Sequence, residues 1–149
     1  MHTQQITFKI ESRLEDVPLL GTLVNALCKS VKLSLVDSNH VEVCIVEAAN
    51  NAIRHAYHDA PGHFVELVVN LLPDQLIFDI CDSGSSASPE IMHADRRHTL
   101  DAHIDLVEQL SESGRGLAIM RELMDSFEYM PGTARNRLRL TKRLTKGRR

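Results

Sequence analysis

Between Gln5 and Ile10 apolar and polar side chains alternate (Ile6, Phe8, Ile10), the period of a strand with one buried face. From Leu14 the period lengthens. Leu14, Val17, Leu20, Val24, Leu27 and Val31 line one side of a helix expected to end near Leu35. Ser12 and Glu15 have the spacing of a capping box that would open it. A second helix is expected from Asp37 or Ser38 to about Tyr57, stopped by His58-Asp59-Ala60-Pro61-Gly62. Residues 64–72 and 75–82 are β-branched and apolar runs around Pro73-Asp74, a hairpin signal with polar breaks at Glu66, Asn70 and Asp79. Residues 83–113 are polar and rich in Ser, His and Asp, with a short helix expected around 101–110. A connection this long is expected to be a functional lid or a disordered segment. A third helix is predicted from Gly116 to about Asp125, then a second hairpin of residues 127–130 and 136–144 across Pro131-Gly132. The order β-α-α-β-β-lid-α-β-β predicts an α+β fold, a two-layer sandwich with helices on one face of a mainly antiparallel sheet.

Composition narrows the function classes. The 149 residues suit one domain, 43% of them hydrophobic, with no apolar run near the roughly 18 residues that span a bilayer. The N-terminus lacks the basic and apolar regions of a secretory signal. Cys28, Cys44 and Cys81 are few and scattered among apolar neighbours, as reduced buried thiols of a cytoplasmic protein would be. The net charge of −3 is uneven: eight of the 17 basic residues lie from Arg135 onward, where no acid occurs. There Arg137, Arg139 and Arg143 alternate with Leu138, Leu140 and Leu144, the pattern of a strand with one solvated face, leaving 145–149 as a basic tail. Neither a nucleic acid nor a membrane is expected as partner.

Three groups of residues carry candidate chemistry. The second helix is apolar nearly all round, yet Glu47, Asn51 and His55 stand at i, i+4 and i+8 on one face. A carboxylate in an apolar helix needs a partner or a job, and a network role or simple exposure would also account for it. Asp82-Ser83-Gly84 ends an apolar strand, a place where a backbone can be approached closely, or an ordinary turn. Ser113-Gly114-Arg115-Gly116-Leu117 opens a helix with two glycines, which suits an anion cradle of free N–H groups. His93, His98 and His103 are evenly spaced, but not on one helical face, and are expected to be solvated.

Taken in order, Glu47-Ala-Ala-Asn-Asn51-Ala-Ile-Arg-His55-Ala-Tyr57, Asp82-x-Gly84 and Gly114-x-Gly116-Leu117 resemble the boxes of the GHKL ATPase superfamily, which folds as a Bergerat ATP-binding domain. The compact length, the Glu-x-x-x-Asn-Ala-x-x-His-x-Tyr form and the continuation through Met120 and Leu123-Met124-Asp125 look most like the RsbW-type anti-sigma-factor serine kinases. The resemblance covers essentially the whole chain, 1–149, as a single domain.

It implies ATP and Mg²⁺ as cofactors and a role for each residue. Asn51 would ligate Mg²⁺, and Glu47 would take the proton from an attacking serine or threonine hydroxyl. Asp82 would accept from the adenine amino group, with Gly84 letting the base lie against the backbone. His55 would pack beside the nucleotide. Gly114, Arg115, Gly116 and Leu117 would wrap the phosphates, and residues 83–113 would close as the lid. Ser86 departs from the glycine often found there. The implied activity is a serine/threonine protein kinase in a partner-switching system. It would phosphorylate a STAS-type anti-anti-sigma protein and bind a sigma factor or other regulatory target, as a homodimer joined through the first helix. The alternatives are a non-catalytic ATP-dependent partner-binding module and a histidine-kinase catalytic domain. The second has no room here for a phosphoacceptor helical hairpin.

Overall fold

A computed structural model describes residues 3–86 and 113–144. Five antiparallel strands form one sheet: β1 (Gln4–Glu11), β2 (Phe64–Leu71), β3 (Gln75–Asp82), β4 (Ser126–Met130) and β5 (Asn136–Arg143), in the order β1-β2-β3-β5-β4. Three helices, α1 (Val17–Ser30), α2 (Leu35–Asn51) and α3 (Ser113–Leu123), supply the second layer. The α+β sandwich expected from the sequence is the fold observed. Val65, Leu67 and Val69 from β2, Leu76, Phe78 and Ile80 from β3, and Leu138 and Leu140 from β5 bury one face of the sheet. Against them lie Leu20, Ile45, Ile53 and Met120 of the helical layer. Cys28 and Cys44 sit in this core as free thiols, pushed up to about 12 by burial and therefore unreactive.

The opposite face of the sheet carries the polar alternates. Asp79 is nearly buried there, because Arg139 of the neighbouring strand grips it with two bonds of 2.8 and 2.9 Å. Among the described residues no helix is long and apolar enough to cross a membrane.

Several helix boundaries differ from the sequence expectation. The capping box does not form: Ser12 Oγ donates to the Ala60 carbonyl (2.7 Å) and accepts from His63 N (3.1 Å). That hydroxyl ties the end of β1 to the loop before β2, and the chain enters α1 through a 3-10 turn, Leu14–Asp16. The first helix stops at Ser30, five residues earlier than expected. Lys32 turns into the left-handed region (φ 62°), its N–H bonds Lys29 O, and Leu33 N–H bonds Cys28 O. These two bonds make a Schellman stop with lysine where glycine is usual. The second helix begins at Leu35 because Ser34 caps it, its Oγ accepting from Asp37 N at 3.0 Å. The third begins at Ser113, so Gly114 and Gly116 fall within its first turn and not before it.

Candidate functional site

The helix α2 lies against the sheet with Val41, Cys44, Ile45, Ala48 and Ala49 buried. Its half-buried Glu47 and Asn51 are one turn apart and turn toward the start of α3. There Gly116 makes the closest approach. A Cβ at this position would stand 2.8 Å from Glu47 Oε2 and 3.5 Å from Asn51 Nδ2. A larger residue here would push the end of the Glu47 side chain aside, so the glycine lets these residues meet at one point. Leu117 is buried in the core and anchors that turn instead of facing the cradle. The backbones of Gly114 and Arg115 belong to the same turn. The side chain of Arg115 lies outside the described residues, as do His93, His98, His103 and the expected lid from 87 to 112.

His55 does not continue the stripe. After Asn51 the helix widens into a π-turn, Ala52–Ala56, in which Tyr57 N–H reaches Ala52 O (3.1 Å). That extra residue carries His55 off the Glu47–Asn51 line, to an exposed position. Partial burial, and then the neighbouring Arg54 charge, hold its pKa below the ordinary histidine value, so it is neutral near pH 7.

The π-turn delivers its last residues onto the Asp82 loop. The Ala56 carbonyl accepts from Ser85 N (2.9 Å), and a Cβ on Gly84 would lie 2.2 Å from that same oxygen. Gly84 is thus required for packing against Ala56, a different reason from the one inferred from sequence. Tyr57 OH donates to Phe64 O (2.7 Å) and accepts from Ser83 N (2.7 Å).

Asp82 Oδ1 takes two bonds, from Gly84 N (3.0 Å) and from Asn136 Nδ2 (2.8 Å). Burial raises the Asp82 pKa, and these two donors pull it back only in part. Its second oxygen has no described hydrogen-bond donor, so it can accept from a ligand. Asn136 escaped the sequence reading, since an Asn after Pro-Gly at a strand start reads as a turn residue. It is 1% exposed, and its amide also donates to Gly84 O (3.0 Å) while its oxygen accepts from Ser86 Oγ (2.7 Å). The Ser86 hydroxyl, at the position where a glycine was expected, therefore has a structural use. Among the described residues no group of three His, Cys, Asp or Glu side chains could hold a metal ion, so any cation here would lean on oxygens of a bound nucleotide.

A half-buried carboxylate and amide thus lie under the first turn of α3, and a strand-end aspartate keeps one oxygen without a donor among the described residues. The chain belongs to the family of histidine kinase-like ATPase domains, which matches residues 10–142. It is also similar to the serine-protein kinase RsbW of Bacillus pumilus (strain SAFR-032), 29% identical over 125 residues, 83% of this chain and 76% of that protein. The serine-protein kinase RsbW of Bacillus velezensis is 28% identical over 120 residues, covering 80% and 74%. That of Bacillus subtilis (strain 168) is 26% identical over 120 residues, again 80% and 74%.

Changing Asp82 to Asn separates recognition from folding. The Asn oxygen can still accept from Gly84 and Asn136, but its amide then points a donor where an adenine amino group would also donate. ATP affinity is expected to fall about 100-fold, read by calorimetry. The raised pKa means that ionised Asp82 opposes folding at neutral pH, a cost that disappears as pH falls through that pKa. Removing the charge should therefore leave the melting temperature at pH 7 unchanged or higher. Unchanged ATP affinity would remove Asp82 from the nucleotide site.

Proposed function

We propose that this chain is an ATP-dependent serine/threonine protein kinase of partner-switching type, which phosphorylates a small STAS-type antagonist and otherwise holds a sigma factor or another regulatory target. The observation that carries this reading is Gly116, whose missing Cβ leaves Glu47 and Asn51 together beneath the first turn of α3. Mg-ATP, when bound, supplies the transferable phosphoryl group and neutralises charge developing on it. Asn51 would offer an amide oxygen to the metal, and the leading N–H groups of α3, at Gly114, Arg115 and Gly116, would hold the phosphates. Glu47 accepts the proton of the attacking hydroxyl, while Asp82 selects adenine. Phosphoryl transfer asks mainly for positioning, which a buried helix and a glycine contact can provide.

The similarity to proteins named serine-protein kinase RsbW supports the kinase assignment, and the presence of Glu47 favours it over a binding-only module. Exposed Leu19 and Leu23, one turn apart on α1, support pairing of two copies through that helix. A cytoplasmic location suits the free, buried cysteines.

The test is transfer of labelled γ-phosphate from Mg-ATP to candidate STAS-type proteins from the same cell. Label on a serine or threonine of one antagonist is expected. ATP binding without label on any of them would leave the binding-only module as the better description.

A further inference from the structure

We propose that the helix-free face of the sheet carries a second binding site, for a small organic anion built on a flat ring, in a cleft behind the nucleotide site. The register places Lys9 opposite Glu66 and Glu66 opposite Cys81, so all three project from this face. At this end of the sheet the face is hollowed into a cleft of about 270 Å³, the small end of ligand-pocket sizes and enough for a single aromatic ring.

One wall is made of flat surfaces. The rings of Tyr57 and His63 stack at 4.6 Å and within 6° of parallel, and half-exposed Phe64 stands at the mouth. Such a wall favours a planar ligand. On the other side Arg135 reaches back from the β4–β5 turn to Glu66 (2.8 Å), over the Cys81 thiol.

The charges do not balance. Glu66 serves Arg135, and Asp82, the next residue along the strand from Cys81, carries its carboxylate on the other side of the sheet, with Asn136. Lys9 Nζ lies 4.3 Å from the Phe64 ring centroid and pairs with no carboxylate among the described residues. The cleft therefore has a surplus ammonium next to aromatic surface. A carboxylate on a ring can meet the ammonium while the ring lies along the stacked pair.

The cleft shares Tyr57, Asp82 and Ser83 with the loop assigned to adenine. If that assignment holds, occupancy of one site changes affinity at the other by the same factor in both directions.

The experiment titrates sodium benzoate into the ¹⁵N-labelled full chain and follows amide shifts. Saturable shifts are expected at Gly62, Phe64, Cys81 and Ser83, with dissociation constants on the order of millimolar. Benzamide, the same shape without charge, and acetate, the charge without the ring, should each bind about tenfold more weakly. Lys9 is exposed on edge strand β1, so Lys9→Gln should fold normally, confirmed by its melting curve, and lose benzoate affinity to a similar extent. Saturating Mg-ATP should alter the benzoate affinity without abolishing the shifts. No saturable shift, an equal response to benzamide, full retention in Lys9→Gln, or complete displacement by Mg-ATP would each overturn the proposal. The benzoate, benzamide and Lys9→Gln arms need neither ATP nor phosphotransfer, so failure of the kinase reading leaves those results standing on their own.

Discussion

Glu47→Gln is expected to lower phosphotransfer about 10²- to 10⁴-fold, the usual worth of a positioned general base, while ATP affinity stays within about threefold of wild type. Glutamine keeps the size of the side chain that packs against Gly116, so the helix contact survives and only the proton acceptor is lost. Removing a negative charge near bound phosphates would, if anything, tighten nucleotide binding slightly. Single-turnover transfer and calorimetric ATP titration on the same preparation separate the two quantities. Transfer within tenfold of wild type would show that Glu47 is a structural neighbour of the cradle and not its base.

The largest effect on stability is expected from Gly84→Ala. Its new methyl would stand 2.2 Å from the Ala56 oxygen, 2.5 Å from the carbonyl carbon and 2.9 Å from the Ala56 Cβ. Two of these atoms belong to backbone held by the π-turn and by the Ser85 N–H bond, so no side chain can swing aside. Overpacking that must move backbone costs about 2–4 kcal/mol, which for a domain of this size lowers the melting temperature by about 5–15 °C. ATP affinity should fall with it, because Gly84 N and O both hold the Asp82–Asn136 pair in place. Gly62→Ala is the useful comparison: its φ of 87° disfavours alanine, but nothing lies within 4 Å of the new methyl. That strain costs only about 1 kcal/mol. If Gly84→Ala melted no lower than Gly62→Ala, the contact with Ala56 would not be holding the loop.

What the sequence made legible follows the range of each interaction. Apolar, β-branched runs along 64–72 and 75–82 and alternation along 136–144 located three strands to within a residue, because a buried sheet face selects such side chains. The Glu47–Asn51 pair was visible as an anomaly in an apolar helix. Its partner Gly116 was visible as part of a glycine motif, but the contact between them was not, since it depends on how α3 docks on α2.

The misplaced helix ends have the same origin. Ser12 had a local capping role open to it and took bonds 48 and 51 residues away. Lys32 adopts a conformation that sequence patterns assign to glycine, held by two bonds to the end of α1. The π-turn and the four-way role of Asn136 left no periodic or compositional trace. Both are fixed by what the Asp82 loop packs against, and both lie where the site is built, the usual place for local rules to yield.

The Asp82–Asn136 pair also sets where the chain can change. These residues are register partners on adjacent strands, yet 54 positions separate them. The polypeptide leaves the sheet at Asp82, returns to it in edge strand β4 and only then reaches Asn136, so the pair closes a loop that carries α3 and β4. Since the cost of closing a loop rises only slowly with its length, segments of different size and composition can be sewn in at this point while the five strands keep their register. Relatives can then diverge in what they hold and recognise there without redesigning the fabric beneath.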